Sequence, residues 1–171
     1  MHVFGTGTSL DSWRLREPLA VELGVHPANV HAWVIGEHGD SAVFPFESAR
    51  VGPFSLAEFG RLSGRPLAAE RLAEIEQRVR RAAYEVRALK GSTTHAIGLA
   101  TAQLIRHVVR DARGLEPVSV RVADRVCASL PAPIGADGAG APLMPELSDR
   151  ERRAWEQSLA LLREANQRIP I

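Results

Sequence analysis

At 171 residues, 45% of them hydrophobic, the chain suits a single domain that buries roughly 70% of the surface its unfolded form exposes, so a real core is expected. Its 21 Lys and Arg against 20 Asp and Glu leave a net charge of +1, which provides no basic footprint for nucleic acid. One cysteine excludes an intramolecular disulfide, no apolar run approaches the roughly 18 residues of a membrane span, and the first residues carry no signal-peptide pattern. A soluble cytoplasmic setting, without membrane partners, is the expectation.

Residues 2–4 read as a short strand running into "GTGTS" (residues 5–9). Leu10, Arg14, Leu19, Val21 and Leu23 then suggest a helix capped by Thr8 or Ser9 and ended by Gly24. Pro18 falls inside that pattern, where the missing amide costs about 3 kcal/mol unless the helix kinks or restarts. "HPAN" reads as a turn, "VHAWVIG" as a buried strand, and "SAVFPF" with "ARVGPF" as an antiparallel pair around a loop bearing Glu47 and Ser48.

From Pro66 the period changes. Leu72, Ile75, Val79, Ala82, Val86 and Leu89 recur at spacings of three and four, which predicts one long amphipathic helix. Residues 90–112 read as a second, more apolar and therefore buried helix, capped by Ser92 or Thr93 and leaving at Gly114. "PVSVRV", "RVCASLPAPIG" and "APLMPEL" are strand-like and predict a small antiparallel sheet, with Asp137 and Gly138 as the hairpin signal between the last two. Cys127 is expected to be a buried strand thiol. Ser148 and Glu151 have capping-box spacing at the head of a closing helix that carries Trp155, Leu159 and Leu162.

Three features bear on chemistry. "GTGTS" offers amides near a helix start, as a phosphate cradle would, but it lacks the G-x-G-x-x-G spacing and a tight turn explains its glycines equally well. In "IGEHGDSAV" (residues 35–43) a strand delivers His38 onto a glycine-flanked loop with carboxylates nearby, a place suited to proton transfer. Asp11 and Arg14, three apart on one helix face, can orient an imidazole and fork onto a carboxylate, or form an ordinary surface ion pair.

Taken together, "GTGTSLDSWRLR", "LGVHPANVHAWVIGEHGDSAV", "RRAAYEVRALKGSTTHAIGLA", "PVSV", "SLPAPIGADG" and "LSDRERRAWEQS" resemble, in that order, the catalytic domain of L-lactate dehydrogenases in the lactate/malate dehydrogenase superfamily. Glu37 looks more like the lactate than the malate members. The resemblance covers essentially the whole chain and implies an α+β fold, an antiparallel sheet packed with long helices, over residues 1–171 as a single substrate-binding and catalytic domain.

It also implies roles. His38 resembles the general acid and base that exchanges a proton with the pyruvate carbonyl oxygen, Asp11 its orienting partner, and Arg14 the bidentate binder of the substrate carboxylate. Thr93 resembles the threonine beside the substrate methyl group, with a helix cap as its plainer duty. Arg16 and His31 match positions that hold fructose 1,6-bisphosphate between subunits of allosteric bacterial members; the plainer reading is a solvated helix residue and a strand-edge residue. No metal is called for. Trp13, Pro18 and Phe44 depart from the family pattern, and the outer hairpin after "PVSV" is shorter than usual.

Family members bind NAD on a Rossmann domain, and no segment of that kind occurs among these residues. The expectation is therefore the catalytic half of an NAD-dependent L-lactate dehydrogenase, a homo-oligomer, inactive unless a Rossmann domain is supplied in trans. The alternatives are a malate or other 2-hydroxy acid dehydrogenase, or a non-catalytic oligomerisation or interaction module derived from the family.

Overall fold

The structure, a computed structural model, describes residues 3–123 and 125–168. In chain order it contains α1 (Ser9–Leu23), a 3-10 turn (Pro27–Asn29), β1 (Val30–His31), β2 (Arg50–Val51), β3 (Phe54–Ser55), α2 (Leu56–Ser63), α3 (Ala69–Lys90), α4 (Thr94–Val109), β4 (Gly114–Ala123), β5 (Val126–Gly135), β6 (Gly138–Ala139) and α5 (Asp149–Gln167). The strands form two antiparallel three-stranded sheets, ordered β1-β2-β3 and β4-β5-β6. This is the α+β arrangement, an antiparallel sheet with long helices, that the family resemblance implies.

Helix α1 is the central element. Leu15, Leu19 and Leu23, each four residues apart, are almost wholly buried, and Leu10, Pro18 and Ala20 extend the covered surface around the helix. Because burial surrounds it, α1 continues through Pro18 as one element rather than restarting there, and Gly24 ends it in the left-handed conformation. Its polar residues bind strands instead of capping the helix. Thr8 occupies the N-cap position, yet its hydroxyl donates to the Val34 carbonyl and that of Ser9 to the Pro117 carbonyl, so neither side chain makes the expected cap bond. Ser12 Oγ accepts from the Val34 amide at 2.8 Å.

Two apolar clusters flank this helix. One joins α1 to Val30, Ala32 and Val34 and to Ile75 and Val79 of α3; the other joins Ile35 and Val43 to the β4–β5 hairpin, Leu104 of α4 and Trp155 of α5. Adjacent residues Val34 and Ile35 thus enter different clusters, as side chains of extended backbone must. The bonds of Val34 to Thr8 and Ser12 hold this segment against the first turn of α1.

Several expected elements differ. "VHAWVIG" pairs as a strand only at Val30–His31; further on it makes single bridges, Ile35 to Val43 and Gly36 to Ser129. "ARVGPF" pairs with β1 and with itself, not with "SAVFPF", because Gly52 at positive φ turns the chain back after two residues. Helix α2 was not anticipated; Ser55 caps it through the Glu58 amide. "APLMPEL" forms no strand, β6 being confined to Gly138–Ala139. Of the expected first strand, residue 2 lies outside the described residues, and Phe4 precedes a single Gly5–Ser119 bridge.

Helix α4 is less covered than its apolar sequence predicts: Ala100 and Leu104 are buried, whereas Leu99, Ile105 and Val109 are exposed. It ends at Val109, short of Gly114, and Thr93 stands at its N-cap with no side-chain cap bond. Cys127 lies on β5 as expected but is exposed, opposite Arg121, because it alternates with the inward-facing Val126 and Ala128. The capping box of Ser148 and Glu151 forms in both directions at the head of α5.

Candidate active site

The loop after Ile35 is held at its base by two elements. Gly36 exchanges hydrogen bonds with Ser129 of β5, and the Glu37 amide donates to Ser158 Oγ of α5 at 2.9 Å. Gly36 has φ of 86°, and a Cβ there would stand 2.6 Å from Ser158 Oγ, so conformation and close approach both require glycine. The Glu37 carboxylate turns back on its own loop, accepting from the Ser41 amide at 3.2 Å and from the Ser41 hydroxyl. Glu37 is thereby a strut of the loop.

These anchors bring His38 to α1. Its Nδ1 lies 2.5 Å from Asp11 Oδ2, and Arg14 Nη1 donates to the other Asp11 oxygen at 3.3 Å. A carboxylate only accepts, so Nδ1 carries the shared proton and Nε2 is left to exchange one with a ligand. The Asp11 side chain is 12% exposed and that of Arg14 17%, while that of His38 is 60% exposed: orienting groups are covered and the reacting group is presented. The hydrogen bond to Asp11 holds the His38 imidazole above its ordinary pKa, against desolvation and the positive charge of Arg14, which lower it.

Two hollows adjoin this trio. Asp11, His38, Phe44, Val79, Arg80 and Tyr84 contribute to a cavity of about 160 Å³ between the loop and α3. Trp13, Arg14, Glu17, Arg78, Val79 and Ala82 line a second of about 370 Å³. Val79 borders both, with His38 at the first hollow and Arg14 at the second.

The structure brings Asp11, Arg14 and His38 together; Thr93, part-buried at the start of α4, lies outside both linings. Arg16 turns away from them. Its guanidinium lies 4.5 Å from the Trp33 ring centroid, its Nε donates to the Ala32 carbonyl, and burial lowers its pKa against the attraction of Glu116. His31 is exposed on β1, opposite Arg50. Asp40, one of the carboxylates near His38 in sequence, accepts instead from Tyr84. Sequence reading missed Arg80 and Tyr84 of α3 and Ser158 of α5; only the Glu76–Arg80 spacing of four was visible beforehand.

The glycine-rich loop offers no cradle. Gly7 has φ of 51°, and a Cβ on it would stand 2.6 Å from the Ser119 amide nitrogen and from Ser129 Oγ, so its glycine is explained by packing against the β4–β5 hairpin.

An imidazole backed by a carboxylate, with a guanidinium beside it, is the equipment of proton transfer on a small anionic substrate, and here it stands on an α+β scaffold of known kind. The family model for the lactate/malate dehydrogenase alpha/beta C-terminal domain matches residues 8–169, and the chain belongs to that family. Among curated proteins it is 42% identical over 168 residues to an L-lactate dehydrogenase of Thermus aquaticus, covering 95% of this chain and 54% of that protein. It is 38% identical to the L-lactate dehydrogenases of Bifidobacterium animalis subsp. lactis and of Fervidobacterium nodosum, covering 52% and 54% of their lengths. The chain spans about half the length of these relatives.

Proposed function

We propose that this chain is the substrate-binding and proton-transfer half of an NAD-dependent L-lactate dehydrogenase, interconverting pyruvate and lactate. The observation that carries the reading is the Asp11–His38 hydrogen bond with Arg14 beside it. Arg14 binds the substrate carboxylate; for this its guanidinium turns from a single bond with Asp11 to a two-pronged grip on the ligand. His38, protonated at Nε2, donates to the carbonyl oxygen on reduction and recovers the proton in the reverse reaction, while Asp11 stabilises the imidazolium. Thr93, at the N-cap of α4, is the residue assigned to the substrate methyl group.

NAD is the cofactor the family calls for. The described residues do not fit its phosphates, since the one glycine-rich loop is filled by the hairpin. The chain's own part is therefore carboxylate binding and proton transfer, in a cytoplasmic assembly with a nucleotide-binding domain. The test is to mix the chain with the separately expressed N-terminal portion of the Thermus aquaticus relative and follow NADH oxidation with pyruvate. Turnover that His38→Ala abolishes supports the reading; equal rates with oxaloacetate favour the malate alternative. Failure of oxamate, an unreactive pyruvate mimic, to perturb the Arg14 and His38 resonances favours a non-catalytic module.

Oligomerisation has its own support. The apolar stripe of α3 is buried at Ile75 and Val79 but continues onto the surface at Val86 and Leu89, the latter 90% exposed, as a face awaiting a partner does. Fructose 1,6-bisphosphate is the proposed effector at Arg16 and His31. Arg16 reaches a phosphate only by leaving the Trp33 ring, so binding is expected to change tryptophan fluorescence. Equal calorimetric binding to a variant with Arg16→Gln and His31→Ala overturns the effector site.

A further inference from the structure

The loop that carries His38 has a second anchor, and it lies on α3. Arg80 Nη1 donates to the Asp40 carbonyl at 2.5 Å, and Nη2 donates both to the Ala42 carbonyl at 2.5 Å and to the Glu76 carboxylate at 2.8 Å. The guanidinium also lies over the Phe44 ring, 4.9 Å from its centroid. One helical turn further on, the Tyr84 hydroxyl donates to Asp40 Oδ1 at 3.2 Å. Residues 36 and 37 are fixed to β5 and α5, residues 40 and 42 to α3, and His38 is suspended between the two fixings.

We propose that Arg80 is a positioning residue for His38: by gripping the carbonyls of Asp40 and Ala42 it sets the reach of the imidazole toward Asp11. A hydrogen bond at 2.5 Å does not survive a displacement of about 1 Å, and His38, largely exposed, has Asp11 alone as a hydrogen-bond partner among the described residues. The planar fork of an arginine spans two carbonyls at once, which the point charge of a lysine does not. Glu76, in turn, fixes the guanidinium on its own helix.

The significance of the proposal rests on His38 being the proton-transferring group, but its test requires no turnover. The imidazole of His38 is titrated by NMR in the intact chain, with Arg80→Met and Arg80→Lys as variants. The groups around the ring are Asp11, Arg14 and Glu37, with Asp40 engaged by Tyr84. In both variants the His38 pKa is expected to fall toward about 6.5, as the bond that raises it is lost. Loss of a nearby positive charge acts in the opposite direction, raising the pKa in Arg80→Met and leaving Arg80→Lys unchanged. That pattern, or no shift in either variant, overturns the proposal. Should Arg80→Met fail to fold, Glu76→Gln and Tyr84→Phe take its place with a smaller expected fall, and a wild-type titration in both overturns it equally. Failure of the dehydrogenase reading would appear separately, as absent turnover with this titration behaving as expected.

Discussion

Asp11 and His38 stand 27 residues apart in the chain and 2.5 Å apart in space, one on the first turn of α1 and the other on a loop pinned by three elements. Since the pairing raises the His38 pKa, its stabilisation is fully present below about pH 6.5 and is lost as the pH rises through the folded-state value. The stability difference between wild type and Asp11→Asn, measured by urea unfolding, is therefore expected to shrink between pH 6 and pH 9. With His38 largely exposed, it should amount to about 1 kcal/mol or less.

Gly7 and Gly64 both have positive φ but differ in surroundings. At Gly64 a Cβ meets nothing within 4 Å, so Gly64→Ala should cost about 1 kcal/mol from conformation alone. At Gly7 the same atom meets backbone at 2.6 Å, and Gly7→Ala should cost about 2–4 kcal/mol. Denaturant unfolding of the two variants side by side measures the contrast.

Leu19 is wholly buried at the centre of the cluster shared by α1 and α3. Leu19→Ala should destabilise by about 2–5 kcal/mol. For a chain of this size each kcal/mol lowers Tm by about 2–4 °C, which calorimetry would detect.

Cys127 projects from the outer side of β5. It should react fully with Ellman's reagent in the native protein, with no increase in titratable thiol on adding denaturant. A thiol revealed only by unfolding would contradict the exposed position.

The exposed end of the α3 stripe predicts self-association. Leu89→Glu should shift sedimentation at high concentration toward the monomer while leaving thermal stability within about 0.5 kcal/mol of wild type, as surface changes usually do.

Local preference was enough to read α1, α3, α4 and α5 from the sequence, because each combines helical periodicity with a turn or capping residue at one end: Gly24 after α1, Pro66 before α3, Ser92 and Thr93 before α4, the Ser148–Glu151 box before α5. The runs of β4 and β5 were legible as apolar, strand-like segments, whereas the turn signal at Asp137–Gly138 leads only into the two-residue β6. Asp11, Arg14 and His38 could be named because their residue types and spacings suit one chemistry and because the flanking segments resemble one family. What the sequence did not contain was the pairing of short strands. Whether "ARVGPF" bonds to "SAVFPF" or to Val30–His31 depends on where α1 and α3 place those segments, and a two-residue ladder has no periodicity of its own to reveal it. Exposure of the far ends of α3 and α4 was equally hidden, since an apolar stripe records that a face is to be covered, not by what. The grip of Arg80 on the His38 loop belongs with these: it joins residues about forty positions apart through backbone carbonyls, which every residue possesses, so no side-chain pattern could announce it.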